Sequence, residues 1–394
     1  PPSTLAHDFE YPDPVTTDYA AREPVDGLAA AELLTTSANP AYALDALRAT
    51  IDQLRAKAAD KSPKGGLSIG DAVNLAILEE MLRDPTTTIH AEDLQAGSSY
   101  NVPAHTQQAF GRIRACDEII DEGHFIGKAI GEAMNGYRPI VEMMNMNFAI
   151  YGMPELSCAG GIYGTTGGKF TLPMTIIGAG GTAPNQSLGS EHSQPLHAYI
   201  MGFAGLKIVS AASPDAAYGL VKSAIRDNGP CVVLLPVKMM KVKGECDLDV
   251  FYPLHKARYL LRGSDAAIAA GKGVTLLTYL HGVKEARNAV AELGDDGAGV
   301  DLIELTSLKP LDMDTIRESL SRTHRLVILD ESTRSGGVGA TISARVSEEC
   351  FDELDAPVMR LCMEDAPVPY STAIEKTVVK RGSDVVEGIR SLFQ

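Results

Sequence analysis

Residues 205–236 read GLKIVSAASPDAAYGLVKSAIRDNGPCVVLLP, and this stretch decides the fold. An apolar run at 206–211 precedes a segment with helical spacing at 214–227, and a second apolar run follows at 231–235. Short apolar runs without polar alternation are typical of strands that are buried on both faces. A strand, a helix and a strand at this spacing predict a right-handed crossover in a parallel sheet that helices cover.

The same alternation extends towards the amino terminus. Ser68 with Asp71 three positions later is a capping pattern, and it predicts a helix that Pro85 ends. Further strands are predicted at 86–93, 138–144 and 172–177, and further helices at 40–60 and 125–136. We therefore expect an α/β domain at 67–250. Residues 1–66 precede it as an extension whose first 27 residues are acidic and proline-broken, unlike a secretory signal.

A second α/β domain is predicted at 265–394. The segment 251–264 before it is charged and poorly periodic, so we interpret it as a linker. Beyond it the alternation resumes, with strands predicted at 274–280, 300–308, 325–331 and 357–363 and helices at 283–293, 313–323 and 341–354. The fold class is therefore predicted to be α/β with two doubly wound domains.

Composition excludes several classes of protein. The 394 residues include 35 Lys and Arg against 51 Asp and Glu, a formal charge of -16, and this field repels phosphate backbones, so we expect no nucleic-acid partner. No apolar run reaches the roughly 20 residues that a membrane span requires. The six cysteines lie apart without CxxC spacing, which argues against both a zinc cluster and a dithiol redox pair and fits a reducing compartment.

The polar segment 187–199, SLGSEHSQPLHAY, places an acid, an imidazole, hydroxyls and an amide within a few positions. His192 within it is a candidate catalytic group, a candidate metal ligand or a histidine at a helix start. No second His or Cys lies at ligand spacing and no nucleophile elbow is present. The pattern alone favours a loop or cap histidine and leaves the question open.

Two acidic positions are also candidates. Glu122 stands at the start of an apolar helix, whose N-terminal dipole favours an anion, although a helix cap or an ordinary first-turn acid gives the same pattern. Glu92 and Asp93 follow a predicted strand, where α/β sheets gather ligands, although a solvated turn is the commoner explanation.

Two glycine-rich segments resemble anion-binding loops. GAGGTA at 178–183 lacks the GxGxxG spacing of a dinucleotide site. SGGVGA at 335–340 opens a predicted helix whose N-terminus is able to hold an anion, but close packing of helix on sheet explains its glycines equally well, and we favour that interpretation.

Collinear motifs run through both domains: HAEDL (90–94), YRPIVEMMNMNF (137–148), GGKFTLPMTI (167–176), GSEHSQ (189–194), residues 205–234, SLKPLDMDTI (307–316), THRLVILDESTRSGGVGA (323–340), DELDAPVMRL (352–361) and APVPYS (366–371). Over these motifs the chain resembles the β subunit of the thiamine-diphosphate-dependent first component of pyruvate dehydrogenase complexes, most closely its plastid and cyanobacterial branch. The resemblance implies an N-terminal pyrimidine-binding transketolase-like domain and a C-terminal transketolase-like domain.

The resemblance also implies an active site. Glu122 would hydrogen-bond N1′ of the cofactor's aminopyrimidine, since a desolvated carboxyl is able to share its proton with a ring nitrogen. Phe148 would pack on that ring, and Met144 would line the pocket. His192 would position or protonate the intermediate and assist acyl transfer to a lipoyl group.

Metal ions and partners follow from the same resemblance. The family holds a potassium ion through main-chain carbonyls, which correspond here to Met174, Ala224, Ile225 and Asp227. The GDG motif that holds the diphosphate through Mg²⁺ in this superfamily is missing from the chain. An α subunit would therefore supply that half of the site in an α2β2 tetramer, and the second domain would dock the dihydrolipoyl acetyltransferase.

Some positions depart from the family pattern. Ile177 replaces an arginine, Glu118 and Ile119 replace a threonine-proline pair, and Pro154 falls where the family has a continuous helix. These departures keep two alternatives open, a branched-chain 2-oxo acid or acetoin dehydrogenase β subunit and a catalytically silent structural homologue. The branch resemblance predicts the plastid stroma as the compartment, with the bacterial cytosol as the second choice.

Overall fold

The structure is a computed structural model, and it describes residues 40–62, 65–183, 186 and 188–394. The strands are β1 Leu67–Ser68, β2 Thr87–Ala91, β3 Ala115–Asp117, β4 Arg138–Asn145, β5 Thr175–Gly180, β6 Lys207–Ser210, β7 Cys231–Pro236, β8 Lys243–Gly244, β9 Arg258–Leu261, β10 Val274–Thr278, β11 Val300–Glu304, β12 Ser307–Lys309, β13 Leu326–Thr333 and β14 Met359–Met363. The helices are α1 Pro40–Ala59, α2 Ile69–Arg83, α3 Thr106–Arg114, α4 Glu122–Met134, α5 Met153–Thr165, α6 Gly189–His192, α7 His197–Ile200, α8 Pro214–Arg226, α9 Asp265–Ala267, α10 Gly282–Leu293, α11 Met313–Thr323, α12 Val338–Glu349, α13 Thr372–Glu375 and α14 Gly382–Ser391.

The described chain forms two compact units. The first takes in the described residues up to Ala179 together with Ile200–Leu235 and Met239–Leu254. The second consists of Gly180–Tyr199, Pro236–Lys238 and His255–Gln394. The second unit thus includes the polar segment that contains His192, which the sequence places inside the predicted first domain.

The first unit contains strands in the order β6-β7-β5-β4-β2-β3. The pairs β2-β3, β2-β4, β4-β5 and β6-β7 are all parallel, as the strand-helix-strand pattern predicts. Strands β2, β5, β6 and β7 are buried along their whole length, because helices cover both faces of the sheet. Their carboxyl ends lie at one edge, where the acidic candidates follow β2.

Helices α2 and α8 pack together in the first unit, and nearly every residue of each is buried. The Ser68 hydroxyl accepts a hydrogen bond from the Asp71 N–H at 3.0 Å, which confirms the predicted cap. The charged residues between the helices are paired, since Arg226 donates to both oxygens of Glu80 at 2.8 and 2.6 Å. Paired charges allow two helices to be buried almost all round.

Part of the predicted extension is folded onto the first unit. Residues 1–39 lie outside the described residues, but α1 buries Leu47, Ile51 and Leu54 at helical spacing. Arg55 on this helix forms an ion pair with Glu79 at 2.7 Å. Helix α1 is therefore part of the packed domain.

The second unit is an α/β layer with strands in the order β14-β13-β10-β11-β9. Strands β14, β13, β10 and β11 are parallel, whereas the edge strand β9 runs antiparallel to β11. Strand β9 arises from the segment that we predicted to be a linker. The strand was not predicted because an edge strand carries charged residues, which break the apolar pattern of a buried strand. One of them, Arg258, forms an ion pair with Glu304 at 2.7 Å.

Several predicted boundaries move. Strand β5 begins at Thr175, three residues later than predicted, because Pro173 just before it has no N–H for the ladder. Helix α12 begins at Val338, three residues before its predicted start. Pro154 lies in the first turn of α5, where its missing N–H costs no helical hydrogen bond, so it starts that helix and does not interrupt one.

Candidate active site

Three buried carboxyls lie near the carboxyl end of β2. Glu92 is the first residue after that strand, and Glu142 lies on β4 opposite Ala91, the last residue of β2. Glu122 is the first residue of α4. Each of these glutamates is no more than 7% exposed. The structure thus brings Glu92, predicted to be a solvated turn residue, into the same buried group as Glu122.

The start of α4 excludes one of the alternatives that the sequence left for Glu122, the helix cap. Asp121 is the N-cap, since its Oδ1 accepts a hydrogen bond from the His124 N–H at 3.0 Å. The neighbouring glutamate is therefore not the capping residue. Its buried carboxyl lies at the positive end of the helix dipole, where a negative charge is stabilised.

The first turn of α4 packs against the turn Met146–Gly152, which carries Phe148. Gly152 makes this approach possible, because a Cβ atom at that position would lie 2.4 Å from Ile126 Cδ1 and 3.4 Å from the carbonyl oxygen of Glu122. Asn145 caps the turn by accepting a hydrogen bond from the Asn147 N–H at 3.0 Å. The predicted acid and the predicted aromatic residue therefore lie on two elements in direct contact.

Burial raises the pKa of two of the three clustered glutamates, Glu92 and Glu142. Burial and the nearby charges of Glu122 and Asp93 raise the pKa of Glu92 to about 7. Burial, together with the charge of Glu92, raises the pKa of Glu142 to about 7 against the opposing effects of the Ser98 side chain and the Met144 N–H. These carboxyls are able to hold or release a proton near neutral pH.

Met144 and Phe148 are both half-buried. Met144 has a φ of +20° where the β4-β5 ladder shifts register between Glu142 and Asn145. A register shift of this kind redirects the side chains at a strand end, and this one begins at Glu142, one of the three clustered glutamates. Glu142 was not among the predicted site residues, although an acid inside the apolar run 138–144 was a visible signal.

The main-chain carbonyls of the four residues predicted to hold potassium already accept hydrogen bonds within the protein. The Met174 carbonyl accepts a hydrogen bond from the Cys231 N–H at 3.0 Å, and the Ala224 carbonyl accepts one from the Asp227 N–H at 3.2 Å. Arg138 Nη1 donates to the carbonyls of Ile225 at 3.1 Å and Asp227 at 2.8 Å. A guanidinium group thus supplies positive charge at two of these carbonyls, and potassium binding there remains a prediction.

His192 belongs to the second unit, whereas Glu122, Met144 and Phe148 belong to the first. The His192 side chain is 42% exposed, and its Nδ1 lies 4.0 Å from Glu191 Oε2. Its carbonyl accepts a hydrogen bond from Gln186 Nε2 at 3.2 Å, and the Gln186 N–H donates to Glu375 at 3.1 Å. The backbone of this histidine is anchored while its imidazole keeps access to solvent.

A buried polar chain in the second unit was not predicted. His197 Nε2 lies 3.0 Å from the Tyr279 hydroxyl, which donates to Asp330 Oδ1 at 2.7 Å. Burial lowers the pKa of His197 to about 4. No sequence pattern links these residues, because they come from α7, the end of β10 and β13.

The glycines of the segment 335–340 allow the close packing of helix on sheet that we favoured. A Cβ atom at Gly337 would lie 2.4 Å from the Thr333 carbonyl oxygen, and one at Gly339 would lie 2.9 Å from Asp330 Oδ2. The Gly339 N–H donates to Asp330 Oδ2 at 2.7 Å. An internal carboxylate therefore occupies this helix N-terminus.

Family models match both halves of the chain. Residues 66–242 match the transketolase pyrimidine binding domain, and residues 266–384 match the transketolase C-terminal domain. The chain is 41% identical over 325 residues to the pyruvate dehydrogenase E1 component subunit beta of Gracilaria tenuistipitata var. liui, which covers 82% of this chain and 98% of that protein. The chain belongs to the pyruvate dehydrogenase E1 component subunit beta family.

Relatives in this family include chloroplast proteins. Pyruvate dehydrogenase E1 component subunit beta-3, chloroplastic, of Oryza sativa subsp. japonica is 35% identical over 344 residues, with 86% of this chain and 85% of that protein covered. A solved structure named "Split gene transketolase, inactive beta4 tetramer" matches with a TM-score of 0.65 at 20% identity, over 83% of this chain and 98% of that chain. This likeness establishes the transketolase-like fold.

Membership of the family confirms the resemblance on which the sequence analysis relied. It also places the chain in the enzyme class of pyruvate dehydrogenases. In the described part of the chain, no helix combines the length and the apolarity that a bilayer crossing requires.

Proposed function

We propose that this chain is the β subunit of a pyruvate dehydrogenase that decarboxylates pyruvate oxidatively and transfers the acetyl group to lipoyl groups of an acyltransferase. The observation that carries the proposal is Glu122, a carboxyl 7% exposed in the first turn of α4, packed beside the turn that holds Phe148. An acid in such surroundings is suited to proton sharing with a ring nitrogen.

Thiamine diphosphate is the cofactor that fits these residues. When bound, it supplies a carbon nucleophile for the keto carbon of pyruvate and a ring that accepts the electron pair left after CO₂ departs. Glu122 would hold the aminopyrimidine through N1′, and Phe148 and Met144 would line its pocket. The buried oxygens Glu92 Oε1 and Glu142 Oε2, which have no hydrogen-bond partner among the described residues, fit a site that other groups complete.

The residues of this chain have separate tasks in the reaction. Glu122 would share a proton with the ring nitrogen, and Glu92, whose pKa burial and the charge of Glu122 raise to about 7, lies near it. In the overall step the C1–C2 bond of pyruvate breaks and CO₂ leaves. The acetyl group bonds to one lipoyl sulfur while the S–S bond breaks, so the disulfide is reduced and its other sulfur takes a proton. His192 would deliver that proton or position the lipoyl arm.

Partners and compartment complete the proposal. An α subunit would contribute the diphosphate and Mg²⁺ half of the site in an α2β2 tetramer, since this chain has no GDG motif. Dihydrolipoyl acetyltransferase would receive the acetyl group, and the charge of -16 suits a basic docking domain. We place the protein in the plastid stroma because its relatives include chloroplast proteins, with the bacterial cytosol as the alternative.

The test is reconstitution with an α subunit. The purified pair is assayed for reduction of an artificial electron acceptor with pyruvate, a branched-chain 2-oxo acid or acetoin, and its binding of thiamine diphosphate is measured by calorimetry. We expect cofactor binding and the highest kcat/KM with pyruvate. A preference for another substrate would reassign the activity within the class, and absence of cofactor binding in an assembled pair would support a structural role instead.

A further inference from the structure

A second polar cluster lies at the edge of the sheet in the first unit. His90 comes from β2, while Cys116 and Glu118 come from β3 and the residue after it. One ligand atom from each of these three side chains lies within 4.8 Å of the other two. The His90 side chain is fully buried, Cys116 is partly exposed, and the Glu118 side chain is 8% exposed.

Each ring nitrogen of His90 lies against a glutamate oxygen. Nδ1 lies 2.8 Å from Glu118 Oε1, and Nε2 lies 2.9 Å from Glu132 Oε2. Glu132 is itself held by the Thr88 hydroxyl, which donates to the same oxygen at 2.6 Å. A metal-bound histidine typically donates its second ring N–H to such an anchored carboxylate, which fixes both the tautomer and the ring orientation.

We propose that His90, Cys116 and Glu118 form a binding site for a zinc-class divalent metal ion, with Glu132 orienting His90 from behind. An imidazole, a thiolate and a carboxylate are the three ligand types that zinc takes. At metal–ligand distances of about 2.0–2.3 Å, two ligand atoms of a tetrahedral ion lie farther apart than the 2.8 Å between His90 Nδ1 and Glu118 Oε1, so the ion would replace that hydrogen bond. The partly exposed Cys116 leaves an open side for the entry of the ion.

One internal cation competes for this site. Lys128 Nζ lies 2.7 Å from Glu118 Oε1, and its side chain is 37% exposed. A lysine on a flexible, partly solvated stem is able to turn into water when a divalent ion takes its place. Metal binding would therefore release Lys128 and the protons of His90 Nδ1 and the Cys116 thiol, because the ligands must be deprotonated.

The expected role of the ion is structural. It would join the three-residue edge strand β3 to β2, and Glu132 would extend the link to α4, the helix that begins with Glu122. The cysteine spacing predicted that the chain holds no zinc cluster. A mixed site assembled from two parallel strands needs no CxxC motif, and the inference does not depend on the proposed enzymatic function.

Cobalt(II) titration of the reduced, chelator-treated full chain tests the site. Cobalt takes zinc-like positions and shows a near-ultraviolet charge-transfer band when a thiolate binds it. We expect one equivalent to bind with that band, and added zinc to abolish the band and raise the Tm. Cys116→Ser should remove the band, whereas the control Cys158→Ser, which changes an exposed cysteine elsewhere, should keep it.

A second variant tests the role of Glu132. Glu132→Gln should weaken cobalt affinity about 10–100-fold while one equivalent still binds with the thiolate band. Circular dichroism of each variant verifies that the fold is retained. The proposal is overturned if the folded wild type shows no thiolate band, if the band survives in Cys116→Ser, or if Glu132→Gln leaves the affinity unchanged.

Discussion

Glu92 and Glu142 are neighbours across β2 and β4, and each keeps one buried carboxylate oxygen without a hydrogen-bond partner among the described residues. Burial, and then the charge of Glu92, raises the pKa of Glu142 to about 7. A folded protein retains such groups at a cost in stability. The cost is consistent with a site that needs protonatable carboxyls more than it needs an optimised core.

Glu142 should make the stability of the protein fall as the pH rises. Its folded pKa of about 7 lies above the unfolded value of 4.5, so the folded state keeps a proton that the unfolded chain has lost between these two pH values. This contribution to stability is present in full below about pH 4.5 and is lost as the pH rises through 7. Glu142→Gln removes it, and the loss of unfolding free energy between pH 5 and pH 8 should shrink by on the order of 3 kcal/mol.

Urea unfolding at pH 5 and pH 8 measures this difference. The exposed acid Glu292 on α10 supplies the control variant Glu292→Gln, which should leave the pH dependence of the wild type unchanged. An identical pH dependence in Glu142→Gln and in the wild type would contradict the raised pKa.

Glu122→Gln should abolish pyruvate-dependent activity while assembly with an α subunit persists. The amide has nearly the same shape as the carboxyl but is unable to share a proton with a ring nitrogen. We expect kcat to fall at least about 100-fold, the low end of the contribution of general acid–base groups. The matched control is Asp314→Asn, an acid in the first turn of α11 whose side chain is 81% exposed, and it should retain wild-type kcat. Wild-type turnover in the Glu122 variant would exclude the proton role.

Arg226→Met should destabilise the first unit by about 1–3 kcal/mol, because the buried Glu80 would lose its bidentate partner and keep the weaker contacts with Arg83 at 3.4 Å and Lys222 at 3.7 Å. The control Arg48→Met removes an exposed arginine that lies 3.8 Å from Asp45, and it should change the unfolding free energy by less than about 0.5 kcal/mol. Chemical denaturation of both variants measures the two costs. Equal losses of unfolding free energy in the two variants would show that burial does not determine how much the Arg226–Glu80 ion pair stabilises the protein.

Tyr279→Phe should destabilise the second unit by about 1–3 kcal/mol. The substitution removes the hydroxyl that joins His197 to Asp330 and leaves a buried imidazole nitrogen without its partner. Tyr370→Phe changes a ring that is 74% exposed and should stay within about 0.5 kcal/mol of the wild type. Thermal unfolding compares the two, and a neutral Tyr279→Phe would mean that the hydroxyl contributes no net stabilisation.

Local patterns in the sequence predicted most of the fold. The cap at Ser68, the helix over 214–227 and the buried strands around it are confirmed, because each depends on neighbours in the chain. The edge strand β9 was missed, since its residues are charged and its pairing depends on β11. Gly152 shows the same limit, because its need for a hydrogen side chain comes from Ile126 on another element.

By itself, the sequence determined two α/β domains, the family and the candidacy of Glu122, because burial periodicity and collinear motifs are properties of the chain. Only the tertiary structure decided that Glu92 and Glu142 lie together and that His90 meets Cys116 and Glu118. Strands that pair in a parallel sheet are separated by whole helices in the sequence. Their side chains therefore become neighbours, and acquire their shifted proton affinities, only when the sheet forms.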